Sequence, residues 1–579
     1  MRMHKTSSAA AVLVLSSKNS NSQMFYAKIN CVALSECAGL AKNFAAISKR
    51  LLATKQVEQP VCPAQPTVSL EQSTVATLEW QRARPYSELP KDSVFRLLTK
   101  FLPGGRYYNL DSNALEMAMK KDHGDIFVVP AFMGRPNTVV LHNPEDFARV
   151  FRNEGVSPIR PFATLRYHRS KLQADFFQQI EGVLTTQGER WSTFRSAVNP
   201  LLMQPKNVQM YLGKMAQVNQ EFVERIRSIR DRDTQEVPNN FEDYLQCWLL
   251  ESLSIVTLGK QLGLLRDHSE NYEDALKLFT ALNTIFTVAF DLEWKPSLWR
   301  RVRTPKFRRF LQAADNMQAI TLKYIDEAIT NLEAEKKMGI VRLENEMSAF
   351  ERLLKIDKKI ATVMCIDLFL AGINTTTSMA TAVLLCLAKN PEKQQILRKE
   401  VMHVLPQKDG NFTADALNRI PYLRACIKEA IRIYPLTVGI VRVTQSDLVL
   451  SGYRIPKGTV VNMVSTSLFT NESFFARPND YLPERWLRSG AMVEGREHES
   501  AVAGAQALRP TNPFVYLPFG FGPRVCLGRR ISELEMEVGI ARLVRNFQIE
   551  FNHPIDKPFK SMFVNMPNMP LKFKFTDVE

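Results

Sequence analysis

Residues 517–530 read LPFGFGPRVCLGRR. Gly520, Gly522 and Gly528 let the backbone approach a flat ligand closely, and Pro523 stiffens the bend. Cys526 lies between two of these glycines, just before a run of helical spacing that starts near Leu527. Arg524 and a helix N-terminus would both favour a thiolate over a thiol. A thiolate pushes electron density onto a haem iron and so promotes cleavage of an O–O bond. For an arbitrary cysteine a buried structural role is the default. The flanking Phe519, Gly522, Arg524 and Gly528 reverse that expectation.

A second group is AGINTTT, residues 371–377, inside a long apolar stretch of helical spacing. Gly372 in mid-helix costs about 1 kcal/mol relative to Ala, which makes sense if something flat lies against the backbone. Thr375 can bond back to a carbonyl one turn earlier, or hold a water that passes protons. A Thr-rich patch of a packed helix would account for it equally well when taken alone. Asp367, seven residues upstream of Asn374, is expected to bond within the structure. Further along, Glu429 and Arg432 sit three apart, hence on one helical face. Trp191 and Arg195 sit four apart in GERWSTFR. Arg442 follows PLTVGI, and Arg424 and Lys428 precede Glu429 at helical spacing. Each of these arginines alone would more often be a surface residue.

The elements that must hold these residues are mostly helical. Helical spacing covers 210–232, 241–260, 272–291, 306–337, 357–390, 392–404, 421–434 and 530–547. Shorter strand-like runs fall at 126–129, 138–141, 447–454 and 458–464, with turn residues at Ser451-Gly452 and Pro456-Lys457-Gly458. Residues 492–508 read as a surface insertion.

The 517–530 segment fits the pattern FxxGxRxCxG at every specified position and resembles the haem-binding end of cytochrome P450 enzymes. The resemblance extends in order over essentially the whole chain after its first residues. It implies a mainly α fold with small β-sheets around a buried haem b. Cys526 would be the axial ligand of the haem iron, with Phe519, Gly522 and Gly528 against the haem. Trp191, Arg195, Arg442 and Arg524 would face its anionic propionates. Thr375 and Asn374 would serve proton delivery. The family usually has an acid before this Thr; Asn374 can orient water but cannot titrate. Glu429, Arg432 and the Arg485 of Pro483-Glu484-Arg485-Trp486 would lock the region behind the haem, with Trp486 where the family has Phe. Phe369, Ala371 and Val438 resemble substrate-pocket positions.

The branch of the family is also indicated. Arg424 and Lys428 in LRACIKE are similar to the basic pair with which mitochondrial members dock an acidic ferredoxin, and Arg529-Arg530 adds to that face. PYSELP, FLPGGRYYNLD and WSTFRSAVNPLLMQPKN resemble insect mitochondrial members, especially the twelfth family, associated with foreign-compound metabolism. The resemblance implies a monooxygenase that takes O2, a lipophilic substrate and single electrons from NADPH through ferredoxin reductase and an adrenodoxin-like ferredoxin. The alternatives are an ecdysteroid hydroxylase, a peroxide-rearranging isomerase or dehydratase, and a non-catalytic haem-binding sensor or carrier. The last would need neither Thr375 nor a ferredoxin face.

Composition agrees with this reading. The chain has 579 residues and a formal net charge of +16. Residues 1–57 hold eight Lys/Arg and one acid, Glu36, and read as a mitochondrial transit peptide. A secretory signal is the second reading. Residues 58–84, with Pro60, Pro63 and Pro66, read as a linker, and 85–579 as one catalytic domain. No RNA-binding aromatic motif or zinc-finger spacing accompanies the positive charge, so nucleic acid is not expected. The eight cysteines contain no CxxC pair, which argues against a zinc site or a disulfide framework. Residues 280–302 mix aromatic and basic residues, as a lid or a peripheral membrane contact would, or ordinary helix packing.

Overall fold

A computed structural model describes residues 78–487 and 508–579. The expected transit peptide, most of the linker and all but the last residue of the expected insertion lie outside them. Among the described residues are helices α1 (Val94–Phe101), α2 (Ser112–His123), α3 (Pro144–Arg152), α4 (Gly188–Met203), α5 (Leu212–Ile229) and α6 (Phe241–Leu258). They continue with α7 (Tyr272–Glu293), α8 (Pro305–Lys337), α9 (Lys358–Lys389), α10 (Pro391–Val404), α11 (Pro421–Ile433) and α12 (Arg529–Asn546). All eight expected helices are present, with bounds that move by at most a few residues.

Helix α9 is the axis of the fold. Asp357 caps its start by accepting from the Ile360 N–H at 2.9 Å. Asn390 ends it, because Pro391 cannot continue a helix but can begin one, and α10 starts there. Helices α6, α8, α11 and α12 pack around α9. It is long and apolar enough to cross a membrane, yet 83% of its most apolar window is buried inside the protein. A helix apolar all round is what a large protein core requires.

Four strands form the main sheet in the order β1-β2-β6-β3, with β1 Ile126–Val129, β2 Thr138–Leu141, β3 Gly439–Val443 and β6 Val460–Val464. Strand β6 runs parallel to β2, with Val140 opposite Asn462, and antiparallel to β3, with Val441 opposite Asn462. The expected run 447–454 is two strands, β4 Leu448–Leu450 and β5 Tyr453–Ile455. Ser451 and Gly452 between them have φ of 46° and 78°. Positive φ at both central residues is what a two-residue hairpin turn needs. Strand β3 lies where no strand was expected: GIVRV contains Arg442, and a buried arginine breaks the apolar pattern of a strand.

Candidate active site

The segment Leu517–Gly528 folds into a loop on the N-terminus of α12. The Cys526 N–H donates to the Phe519 carbonyl at 2.8 Å and the Val525 N–H to that of Gly522 at 3.0 Å. Arg195 on α4 holds the loop from outside through the Val525 carbonyl at 2.9 Å. Gly522 has φ of 72°, and a Cβ there would lie 1.9 Å from the Glu154 carboxylate. The glycine is therefore required by Glu154 and by the turn rather than by a flat ligand, and Gly522 does not line the cavity. Gly528 and Phe519 do line it, and among the described residues nothing lies within 4 Å of where a Gly528 Cβ would be.

Cys247, Cys365, Cys386 and Cys426 are buried, and Cys526 alone among the described cysteines is exposed. The surface it meets is internal, because the side chain is enclosed by protein and faces a cavity of about 460 Å³. Burial pushes its thiol up, while the N–H groups of Gly528 and Arg529 and the charges of Arg195 and Arg160 pull it down. The helix start acts as expected. The favourable arginines, however, are Arg195 and Arg160 rather than Arg524. A metal ion at the sulfur would reverse the remaining balance, since a coordinating thiol is deprotonated outright.

The cavity beside Cys526 is lined by Arg160, Arg195, Arg442 and Arg524. Burial, together with mutual repulsion, lowers the guanidinium of Arg524 to about 8, and burial lowers those of Arg160 and Arg195 to about 10. Glu154 pairs with Arg442 at 2.6 Å. Arg524 stacks 4.1 Å over the Trp191 ring and donates to the carbonyls of Pro158, Val183 and Thr186 and to Gln187. Its hydrogen bonds therefore clamp the 158–187 segment to the cysteine loop. Trp191 Nε1 and Arg195 Nε are buried and have no partner among the described residues. Two orphaned donors and crowded cations beside a thiol are what an iron macrocycle with anionic carboxylates would satisfy. The residues fit haem b.

Opposite the loop runs α9. Thr375, Ala371 and Gly372 line the cavity, and the Thr375 hydroxyl donates to the Ala371 carbonyl at 2.6 Å, one turn back as expected. Asn374 does not line it: its amide donates to Asn283 on α7 at 2.6 Å. Phe369 is fully buried off the cavity, whereas Val438 lines it. A Cβ on Gly372 would meet the Leu253 side chain of α6 at 2.9 Å. Close helix packing, rather than a flat ligand, is thus the first reason for that glycine. Asp367 is held in the structure by Arg169 at 2.6 Å and the Val183 N–H at 2.6 Å.

Behind the loop, Glu429 receives Arg432 at 2.8 and 3.0 Å, Arg485 at 2.9 Å and the Trp486 indole N–H at 2.8 Å. Glu429, Arg432 and Arg485 are buried. The pair three apart is therefore a core network and not an exposed helix pair. Tyr516, just before the cysteine loop, packs on Trp486 with ring centroids 4.4 Å apart.

The basic face is less free than the sequence suggests. Arg424 is held in a bidentate pair by Glu537 at 2.8 and 3.0 Å, and Arg529 and Arg530 share Glu533 at 2.8 and 3.2 Å. Lys428 is exposed. The two acids lie on α12, one and two turns after Arg529, so the mixed charge was visible in the sequence. Arg160 and Glu154 were missed; Pro158 and Pro161 around Arg160 were the available signal of a fixed backbone. In the 280–302 stretch Trp294 and Arg300 line the cavity, Trp299 is buried, and Leu298 and Val302 are exposed.

The family model described as Cytochrome P450 matches residues 109–575. The chain is 53% identical to a Drosophila melanogaster protein named Probable cytochrome P450 12a5, mitochondrial, over 86% of this chain and 92% of that one. It is 50% identical to a Musca domestica protein named Cytochrome P450 CYP12A2, over 90% and 95%. It is 38% identical to Cytochrome P450 12b1, mitochondrial, of Drosophila acanthoptera, over 85% and 90%.

Proposed function

The chain belongs to the cytochrome P450 family and is a haem-thiolate monooxygenase; from that premise we propose that it oxidises lipophilic foreign compounds in mitochondria. The observation that carries the site is Cys526, enclosed at the start of α12 and facing a cavity rimmed by arginines. In this reading Cys526 would hold the haem iron through its thiolate sulfur. Trp191, Arg195 and Arg160 take the haem carboxylates, and Arg442 and Arg524 supply charge and hold the surrounding chain. When bound, the haem supplies the activation of O2 and the insertion of one oxygen atom.

The protein's own residues do the rest. Glu429, Arg432, Arg485 and Trp486 fix the segment from which the cysteine loop rises. The Thr375 hydroxyl holds a water or passes a proton at the cavity wall, and its bond to the Ala371 carbonyl orients it. Asn374 acts through Asn283, tying α9 to α7, and takes no part in proton transfer. The apolar wall, with Ala371, Val438 and Leu253, excludes water and receives the substrate.

Electrons would come from NADPH through ferredoxin reductase and an adrenodoxin-like ferredoxin, docking at Lys428, Arg424, Arg529 and Arg530. Residues 1–57 would be the transit peptide, 58–84 the linker and 85–579 the catalytic domain. The names of the relatives and the basic, acid-poor start support mitochondria. Exposed Leu298 and Val302 near the basic 300–303 stretch support peripheral contact on the matrix side of the inner membrane.

The test is product formation by the purified protein with NADPH, ferredoxin reductase and ferredoxin. Turnover of several unrelated lipophilic compounds, with little on ecdysteroid precursors, is expected. Selective hydroxylation of one steroid would assign the protein to hormone synthesis instead.

A further inference from the structure

The cavity that holds Cys526 has a second polar feature, contributed by α2 and the main sheet. Glu116 on α2 and Asn462 on β6 both line it, at 6% and 2% exposure. The Asn462 amide donates to Glu116 Oε1 at 3.1 Å. Glu116 Oε2 and Asn462 Oδ1 are buried and have no partner among the described residues. The influences on the carboxyl are burial, which pushes it up to about 7, and the Asn462 amide, which pulls it down. Lys120, on the same helix, pairs instead with Asp125, and Arg135 with the Trp294 carbonyl.

The surrounding structure makes room for this pair. Asn462 lies opposite Val441 on one side and Val140 on the other, so it sits in the interior of the sheet rather than at an edge. A Cβ on Gly439 would lie 2.8 Å from Asn462 Oδ1, so the glycine leaves the space that the amide occupies. Leu115, Met119 and Val438 beside it are apolar. A carboxyl oxygen without a donor in such surroundings is costly, and a native protein that keeps one calls for an explanation.

We propose that Glu116, positioned by Asn462, is a polar anchor of the substrate cavity and selects lipophilic molecules that carry a hydrogen-bond donor, a hydroxyl or a protonated amine. The empty oxygen accepts from that donor, and the apolar wall takes the rest of the molecule. A site with an unpaired buried acceptor rejects analogues that lack the donor far more strongly than an apolar pocket discriminates by size. The anchor rests on the reading above that the cavity takes lipophilic substrates.

Equilibrium dialysis of the haem-loaded full chain tests it with three probes of one chain length: N,N-dimethyldodecylamine, dodecanol and dodecyl methyl ether. The amine or the alcohol is expected to bind roughly tenfold or more tighter than the ether, as a charge-assisted bond would give. Which of the two leads identifies the donor. Glu116→Gln should reduce that preference to within about threefold while leaving ether affinity and the melting temperature nearly unchanged. Where Glu116→Gln does not fold, Glu116→Asp, which withdraws the carboxyl by one carbon, should lower the same preference. Equal binding of all three probes by the parent, or a preference that survives in the folded variants, overturns the anchor alone. Failure of every probe to bind overturns the lipophilic-cavity reading and the anchor with it.

Discussion

The Trp486 indole N–H donates to Glu429 Oε2 at 2.8 Å, beside the two arginines that hold the same carboxylate. The family's Phe at this position could not make that bond. The carboxylate is fully buried, so each donor counts. Trp486→Phe is therefore expected to destabilise the protein by about 1–3 kcal/mol. Thermal unfolding of the haem-loaded protein measures it, and an unchanged melting temperature would show that Arg432, Arg485 and the Leu482 N–H satisfy Glu429 without the indole.

Cys526→Ser removes the only described thiol that faces the cavity. The variant should lose the thiolate-type spectrum of the ferrous–CO complex. Arg195→Leu should instead weaken haem retention while keeping that spectrum, because Arg195 Nε is an orphaned donor at the cavity and not a ligand. Haem content after dialysis and the CO difference spectrum separate the two effects. A thiolate spectrum that persists in Cys526→Ser would remove the ligand assignment.

Much of this arrangement was legible in the sequence, and the reasons differ by residue. Long helices such as α9 declare themselves by apolar spacing and by Asp357 and Pro391 at their ends. The cysteine loop was readable because its glycines, proline and cysteine have few alternative uses. Side-chain direction was not readable. Phe369 lies near Ala371 on one helix, yet a rotation of about 200° along it sends Phe369 into the core. Asn374 and Thr375 are adjacent and differ by about 100°, which separates the α7 contact from the cavity wall. Partners distant in sequence were equally hidden. Glu154 explains Gly522, and Glu537 occupies Arg424, but neither relation has a local pattern.

That separation makes opposite forecasts for two neighbouring residues. Thr375→Ala should uncouple the enzyme, lowering product per NADPH consumed by roughly tenfold or more, since positioned proton transfer typically contributes at least that much. Asn374→Asp restores the family's usual acid in sequence. It should not improve coupling, because its side chain meets Asn283 rather than the cavity. It should lower stability by burying a carboxylate there. Product-to-NADPH ratios and melting curves for both variants check this, and a rise in coupling in Asn374→Asp would return residue 374 to the proton route.

Charge reversal on the basic face should divide along the same structural lines. Lys428→Glu is expected to weaken ferredoxin binding in a salt-dependent way without affecting haem content. Arg424→Glu sets two carboxylates against each other at Glu537, so it should lower stability as well. Glu537→Gln frees Arg424 and is expected to tighten ferredoxin binding at low salt. Titrations at two ionic strengths measure all three, and affinities indifferent to these changes would move the docking face elsewhere.

Glu535 on α12 gives the pH dependence. Burial pushes its carboxyl up to about 8, against which the Ser252 hydroxyl pulls only partly. The unfolded chain releases this proton near the ordinary value of 4.5, whereas the folded chain holds it until about 8. Between those values the folded state binds more protons, so stability falls as pH rises. The contribution is complete below 4.5 and is lost by about 8. Glu535→Gln removes the titration. Relative to the parent, the variant should therefore gain melting temperature steadily from pH 5 to pH 8. A constant difference across that range would mean that Glu535 is already ionised in the folded protein.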